Sequence, residues 1–179
     1  AERLIAKWVG SGFGQAIAFR YFNAAGALSD AGLGEAHDPE THLIPNVLRA
    51  LINSDGNSFH LYGADYPTPD GSCIRDYVHV VDIARAHIFG LNALDDSVNE
   101  YSVFNLGSGG GFSNLEVIRA CEARVGRFLN YEVMSRRDGD PHKLVASYEK
   151  ARRVLGWHPA NSRLETIIES ALKWHLIYG

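Results

Sequence analysis

Apolar residues recur at two spacings along the chain, and each spacing predicts one kind of element. Short, nearly continuous apolar runs predict buried strands at 16–22, 59–62, 77–80, 103–106 and 131–134. Helical spacing predicts helices at 1–9, 43–52, 82–94, 113–125, 147–155 and 162–177. Strands and helices alternate, which predicts an α/β protein with some parallel strand pairing.

Capping residues mark several of the predicted helix ends. Asp82 stands where it can cap the third helix. Ser113 with Glu116, and Ser162 with Glu165, have the spacing of capping boxes. Gly156 ends the fifth helix.

Segments rich in glycine and proline separate these elements. The stretch 23–41 predicts a long loop, and loops of that length are typically functional or mobile. Turns are predicted at 54–58 and 66–72. The cluster Gly10–Gly14 follows a helix and precedes a strand, the reverse of a dinucleotide-binding loop. Gly107–Gly111 has the right order but lacks G-x-G-x-x-G spacing, which favours a tight turn over a phosphate loop.

Composition narrows the function classes. The 179 residues carry a net charge of -4 without a run of Lys or Arg, so no nucleic-acid partner is predicted. No apolar run is long enough for a membrane helix, so no membrane partner is predicted either. Two distant cysteines favour reduced thiols in the cytoplasm. The eight histidines show no metal-binding spacing, and neither G-x-S-x-G nor Tyr-x-x-x-Lys occurs.

Two charged stretches offer candidate anion ligands. Arg75 lies in Cys73-Ile-Arg-Asp-Tyr-Val-His-Val-Val-Asp82, where a planar guanidinium suits a diphosphate, but an ion-paired strand edge fits equally well. Arg136-Arg-Asp-Gly-Asp140 follows a strand and fits either a phosphate clamp or a solvated turn. The residues alone leave both alternatives open.

Many short motifs along the chain carry a resemblance that favours anion ligands over ion-paired or solvated segments at these two stretches. The motifs run in order along the whole chain: Arg20-Tyr-Phe-Asn-Ala-Ala-Gly26, Gly34-Glu35, Pro39-Glu-Thr-His-Leu-Ile-Pro45, Leu61-Tyr-Gly-Ala-Asp-Tyr-Pro67, Asp70-Gly-Ser-Cys-Ile-Arg-Asp-Tyr-Val-His79, Phe104-Asn-Leu-Gly-Ser-Gly109, Arg136-Arg-Asp-Gly-Asp140 and Leu155-Gly-Trp157. Together they resemble the UDP-glucose 4-epimerase family, of the extended short-chain dehydrogenase type.

The resemblance implies a role for each matching residue. Tyr21 and Phe22 would contact the NAD nicotinamide region. Asn23 would hold the sugar nucleotide near its phosphates, and Arg75, Arg137 and Asp140 would bind the diphosphate and ribose. The UDP would also contact His42 and Leu43 at a helix start and the uracil-binding strand His60, Leu61 and Tyr62. Leu144 would limit the room around the sugar C2 substituent, so acceptance of N-acetylated sugars stays open.

The resemblance also implies fold, cofactor and partners. It implies a single piece over 1–179, in which the end of an NAD(P)-binding Rossmann-like domain is interleaved with the small substrate-binding domain. The implied cofactor is NAD, the substrate a UDP-hexose, and the intact protein a cytoplasmic homodimer. No catalytic residue is expected here, because the family's Tyr-x-x-x-Lys and glycine-rich NAD loop would lie upstream of Ala1. We therefore expect a fragment that is inactive alone.

Three hypotheses follow. The first is a UDP-glucose 4-epimerase, interconverting UDP-galactose and UDP-glucose, in which a tyrosine base and NAD oxidise and reduce the sugar C4. The second is a related epimerase or dehydratase acting on another nucleotide sugar. The third is a non-catalytic sugar-nucleotide-binding remnant.

Overall fold

The computed structural model describes residues 1–53, 59–94 and 100–178, so the turn predicted at 54–58 lies outside the described residues. The helices are α1 (Glu2–Gly10), α2 (Leu43–Asn53), α3 (Val80–Leu94), α4 (Asn114–Val125), α5 (Glu149–Leu155) and α6 (Leu164–Tyr178). The strands are β1 (Ala16–Tyr21), β2 (Asn23–Ala25), β3 (Phe59–Tyr62), β4 (Ile74–Arg75), β5 (Tyr77–His79), β6 (Tyr101–Leu106), β7 (Phe112–Ser113), β8 (Tyr131–Met134) and β9 (Lys143–Leu144).

Parallel pairing dominates the described strands. β1 pairs with β6, β2 with β5, and β3 with β8, all in parallel. β4 lies between antiparallel β7 and parallel β9. The α/β prediction with parallel pairing is confirmed. In such sheets ligands bind beyond the carboxyl ends of the strands, so these ends indicate where a site should lie.

Two clusters of buried side chains support these strands. One joins α2, α4 and α6 with Leu61 and Tyr77. The other joins β6, α3 and α5 around the fully buried Trp157, whose Nε1 donates to the carbonyl of Asp82 at 2.8 Å. The segments contributing to the two clusters alternate along the chain. The division into two interleaved domains stays a prediction.

The predicted cap at Asp82 is wrong. α3 begins two residues earlier, and the His79 Nδ1 accepts the backbone N–H of Val81 at 3.1 Å. The fully buried Asp82 carboxylate instead accepts hydrogen bonds from Asn161 and Ser162. It therefore ties α3 to the segment before α6.

Of the two predicted capping boxes, only the first forms. Ser113 accepts from the Glu116 N–H at 3.0 Å, and the Glu116 side chain accepts from the Ser113 N–H at 2.7 Å. The Ser162 hydroxyl is engaged by Asp82 and by the N–H of His79, so no box with Glu165 is made. α6 begins only at Leu164.

The segment predicted as one loop, 23–41, has more structure than its composition indicates. It contains β2 and a short 3₁₀ helix at Ser29–Ala31. Short β4 was also not predicted, because two residues carry no periodicity. No helix in the described ranges is both long and apolar enough to cross a membrane.

Candidate functional site

A cleft of about 770 Å³ lies where β1, β2 and β3 end and α2 begins. Its walls contain eleven of the twelve residues to which the resemblance assigns binding roles: Tyr21, Phe22, Asn23, His42, Leu43, His60, Leu61, Tyr62, Arg75, Arg137 and Asp140. Segments far apart in sequence thus meet around one space large enough for a nucleotide-sized ligand.

Leu144 is the residue that the fold does not bring into the cleft wall. It pairs with Arg75 across β4 and β9, and 48% of it is exposed. It is not among the residues that line the cleft, and its place beside the sugar stays a prediction.

The basic part of the cleft is built around Arg75. Its side chain is only 13% exposed, and its Nη2 is hydrogen-bonded to the Asp140 carboxylate. Its Nη1 donates to the carbonyl of Ile74 at 2.7 Å. A mostly buried guanidinium held at two points presents a fixed fork to an anion.

A second guanidinium lies over an aromatic ring. The Arg137 Cζ is 4.1 Å from the centre of the Tyr62 ring, a cation–π contact. The His60 ring stands perpendicular to that of Tyr62, with 6.4 Å between centroids. Leu61 between them is 2% exposed, so its side chain belongs to the core and only its backbone can face a ligand. β3 thus places the flat Tyr62 ring beside the Arg137 guanidinium.

Asn23 is oriented by the neighbouring strand. Its side-chain Nδ2 and its backbone N–H both donate to the carbonyl of Asp76 at 2.9 Å. The amide is therefore fixed at the point where β2 begins.

The Asp76 carboxylate forms a buried hydrogen-bonded knot behind Arg75. Oδ1 accepts from the N–H and hydroxyl of Ser108 at 2.7 and 2.5 Å, and Oδ2 from the N–H groups of Gly109 and Ala146 at 3.1 and 3.0 Å. Residue 107 is glycine because a Cβ there would lie 2.5 Å from Oδ2. The amides of the glycine-rich turn thus already bind an internal carboxylate, so the turn predicted at 107–111 is not a phosphate loop.

One wall of the cleft is formed at the end of β1. Tyr21 is 48% exposed, and its hydroxyl is hydrogen-bonded with the His87 Nε2 of α3 at 2.8 Å. Phe22 follows it in the wall. These residues fit the nicotinamide end of a dinucleotide, at the carboxyl edge of a parallel pair.

Sequence reasoning missed other lining residues, among them Cys73 and Asn114. The Asn114 Nδ2 lies 3.2 Å from the Cys73 Sγ. Burial raises the pKa of the Cys73 thiol, which keeps it protonated. The only sequence signal for Asn114 was its place directly after the helix-capping Ser113.

Comparison with known proteins agrees with this arrangement. A model of the NAD dependent epimerase/dehydratase family matches residues 1–107, more than half of the chain. The chain belongs to the NAD-dependent epimerase/dehydratase family. The match covers β1, the segment through His42, and the strands that carry Tyr62 and Arg75.

Within this family, the curated relatives confirm the resemblance seen in the sequence. A UDP-glucose 4-epimerase of Lacticaseibacillus casei is 46% identical over 98% of the chain and 53% of its own length. One from Lactobacillus helveticus is 48% identical over 88% of the chain and 47% of its own length. The chain spans about half the length of the curated relatives that it matches.

Solved structures of the family superpose on the whole chain. A crystal structure of UDP-glucose 4-epimerase has a TM-score of 0.92 and 42% identity, covering 99% of this chain and 53% of that one. The enzyme from Bifidobacterium longum, in complex with NAD+ and UDP, has a TM-score of 0.89 and 33% identity, covering 98% and 52%. The extended short-chain dehydrogenase fold predicted from the motifs is confirmed.

Proposed function

We propose that this chain is the UDP-binding portion of a UDP-glucose 4-epimerase, which interconverts UDP-galactose and UDP-glucose. The observation that carries the proposal is the cleft, in which two guanidiniums, one of them stacked on Tyr62, converge with Asn23 and Asp140. Curated relatives with that name and 42–48% identity support it.

The geometry supports a binding role for each of these residues. Arg75 and Arg137 suit the diphosphate, because a guanidinium binds phosphate oxygens bidentately. Tyr62 provides a ring against which a base can pack, and His60 lies at the edge of that ring. The Asp140 carboxylate can accept a ribose hydroxyl. These contacts would hold the UDP firmly while leaving the hexose few contacts.

Weak contacts with the hexose suit epimerisation at C4. The 4-keto sugar must present its other face before it is reduced again, so the UDP has to be the anchor. NAD, when bound, supplies the hydride acceptor and donor for that carbon. From this chain Tyr21 and Phe22 would lie against its nicotinamide end. By family resemblance we also propose a cytoplasmic homodimer for the intact protein.

The binding claim is tested by titrating UDP into the 179-residue chain by calorimetry. Arg75→Gln and Arg137→Gln should each weaken binding about 10–100-fold, because a hydrogen bond to a charged group contributes about 1.5–3 kcal/mol. Arg153→Gln is the matched control, since Arg153 is exposed on α5, outside the cleft wall. Unchanged UDP affinity in both cleft variants would contradict the proposal.

The identity of the sugar needs a second experiment. A panel of UDP-sugars should be offered to the protein encoded by the complete gene, with product analysis by chromatography. Conversion of UDP-galactose to UDP-glucose supports the proposal. Inactivity on that pair, with turnover of another UDP-sugar, would favour a related epimerase or dehydratase.

A further inference from the structure

Four potential metal ligands meet in the segment before α2. Glu35, His37, Glu40 and His42 each offer one ligand atom, and these atoms all lie within 4.8 Å of one another. The sequence alone predicts no metal site, because His37 and His42 do not have the spacing of ligands on one helix. The folded loop brings them together.

The local fold fixes the positions of these residues. Gly34 packs on the Trp174 ring of α6 so closely that a Cβ would lie 2.2 Å from it, and this places Glu35. The Glu40 Oε1 accepts the N–H groups of Thr41 and His42 at 2.8 and 2.9 Å. Three of the four ligands are therefore held by packing or by backbone hydrogen bonds.

Glu40 is the observation that points to a cation. Its side chain is 2% exposed, and its buried Oε2 has no hydrogen-bond partner. A buried carboxylate oxygen without a partner is costly, so a bound group is expected there.

The nearest charged groups do not supply what Glu40 lacks. Among the described residues, only His37 and His42 lie within ion-pair distance of Glu35 and Glu40. Burial lowers the pKa of His175 on α6, which keeps that ring neutral near Glu40. The two carboxylates have a formal charge of -2, which a divalent cation balances.

We propose that Glu35, His37, Glu40 and His42 form a binding site for a divalent transition metal of the Zn²⁺ type. Two imidazole nitrogens and two carboxylate oxygens suit Zn²⁺, whereas Mg²⁺ and Ca²⁺ prefer oxygen ligands. His37 Nδ1 lies 3.2 Å from Glu35 Oε1 and 3.8 Å from Glu40 Oε2, close to the separation of about 3.4 Å between ligands of a tetrahedral zinc ion. His42 Nδ1 and Glu35 Oε1 are hydrogen-bonded to each other and would have to move apart to admit the metal.

The site has a route to solvent and a functional neighbour. His37 is half exposed and lies with Glu35 and His42 beside a second cleft of about 550 Å³. Glu35 and His42 also line the candidate UDP cleft. A metal here would fix the His42 ring at the wall of that cleft.

The test measures Zn²⁺ binding to the chelator-treated 179-residue chain by calorimetry, with metal content checked by mass spectrometry. We expect one Zn²⁺ per chain and no comparable binding of Mg²⁺. Glu40→Gln and His37→Asn should weaken Zn²⁺ binding at least about 100-fold, because even changes around ligands cost about 10–100-fold. Glu40→Gln keeps the oxygen that caps the backbone, and His37 is exposed, so both variants should fold.

Controls separate this site from other ligands. His158→Asn and Glu165→Gln make the same chemical changes at exposed positions outside the cluster and should leave binding unchanged. Co²⁺ should give the visible bands of four-coordinate nitrogen and oxygen ligands, without the thiolate band that Cys73 or Cys121 would add.

Equal Zn²⁺ affinity in the cluster variants and the controls would overturn the proposal. The proposal would also be overturned if no metal bound while the melting temperature changed with pH and with Glu40→Gln, because ion pairs alone would then explain the cluster. Neither outcome depends on UDP binding or turnover.

Discussion

Replacing Asp76 by Asn tests whether the knot behind the cleft holds this part of the fold together. An amide at this position keeps one acceptor oxygen, which can serve the N–H groups of Gly109 and Ala146. Its NH₂ group then faces Ser108, whose hydroxyl can turn to accept but whose N–H cannot. The substitution therefore leaves one backbone donor without a partner in a fully buried place.

The expected loss can be estimated from these contacts. One buried donor without a partner costs about 1–3 kcal/mol. The two remaining hydrogen bonds lose their charged acceptor, at about 1 kcal/mol each. Together the free energy of unfolding should fall by about 3–5 kcal/mol, a large part of the stability of a domain of ordinary size.

Urea unfolding followed by circular dichroism measures this loss. With a slope near 2 kcal/mol per M, the midpoint should fall by about 1.5–2.5 M. Asp138→Asn is the matched control, because Asp138 is exposed on the turn between β8 and β9 and should change stability by less than about 0.5 kcal/mol. A loss below about 1 kcal/mol for Asp76→Asn would refute the reasoning.

Three further predictions concern stability and turnover. Burial lowers the pKa of His79 below 6.5, and its Nδ1 accepts the N–H of Val81. The His79 ring therefore binds a proton more readily in the unfolded chain than in the folded one. The free energy of unfolding should therefore fall as the pH drops below about 6.5, and urea midpoints should show a flatter pH dependence in His79→Asn but not in His158→Asn. Ser113→Ala removes both the α4 cap and the hydrogen bond that the Ser113 hydroxyl donates to Asp70, and should cost about 2 kcal/mol. The exposed Thr166→Ala should cost less than about 0.5 kcal/mol, and equal urea midpoints for the two variants would contradict the role of Ser113. Because no Tyr-x-x-x-Lys occurs in its sequence, the 179-residue chain should not convert UDP-galactose in a coupled UDP-glucose assay, and appreciable activity would refute the missing-base argument.

Periodicity in the sequence predicted the longer elements well. β3 and β8 begin and end where their apolar runs do, and α2 differs by one residue at its end. Such elements carry enough residues for their spacing to be distinctive. The two-residue strand β4 and three-residue β2 carry no such pattern, because their pairing depends on partners far away in the chain.

Polar residues near helix starts were harder to interpret. Asp82 and Ser162 both have the residue type and spacing of caps, and neither serves as one, because each bonds the other instead. Local rules assume that a side chain serves its own helix, and tertiary contact overrides that assumption. The cleft residues were found through motifs, whereas Cys73 and Asn114 belong to it only through folding.

The neighbouring positions of Arg75 and Asp76 have a consequence for how the family can vary. Arg75, the last residue of β4, lines the cleft, whereas the next residue, Asp76, places its carboxylate in the knot on the other side. Deleting or inserting one residue here would present a carboxylate to the cleft and bury a guanidinium among N–H donors. The side chain in the cleft and the buried hydrogen-bond network therefore both depend on the order of these two adjacent residues. Insertions and deletions can be accommodated in the surrounding loops. In this segment they would remove both the cleft guanidinium and the carboxylate of the buried hydrogen-bond network.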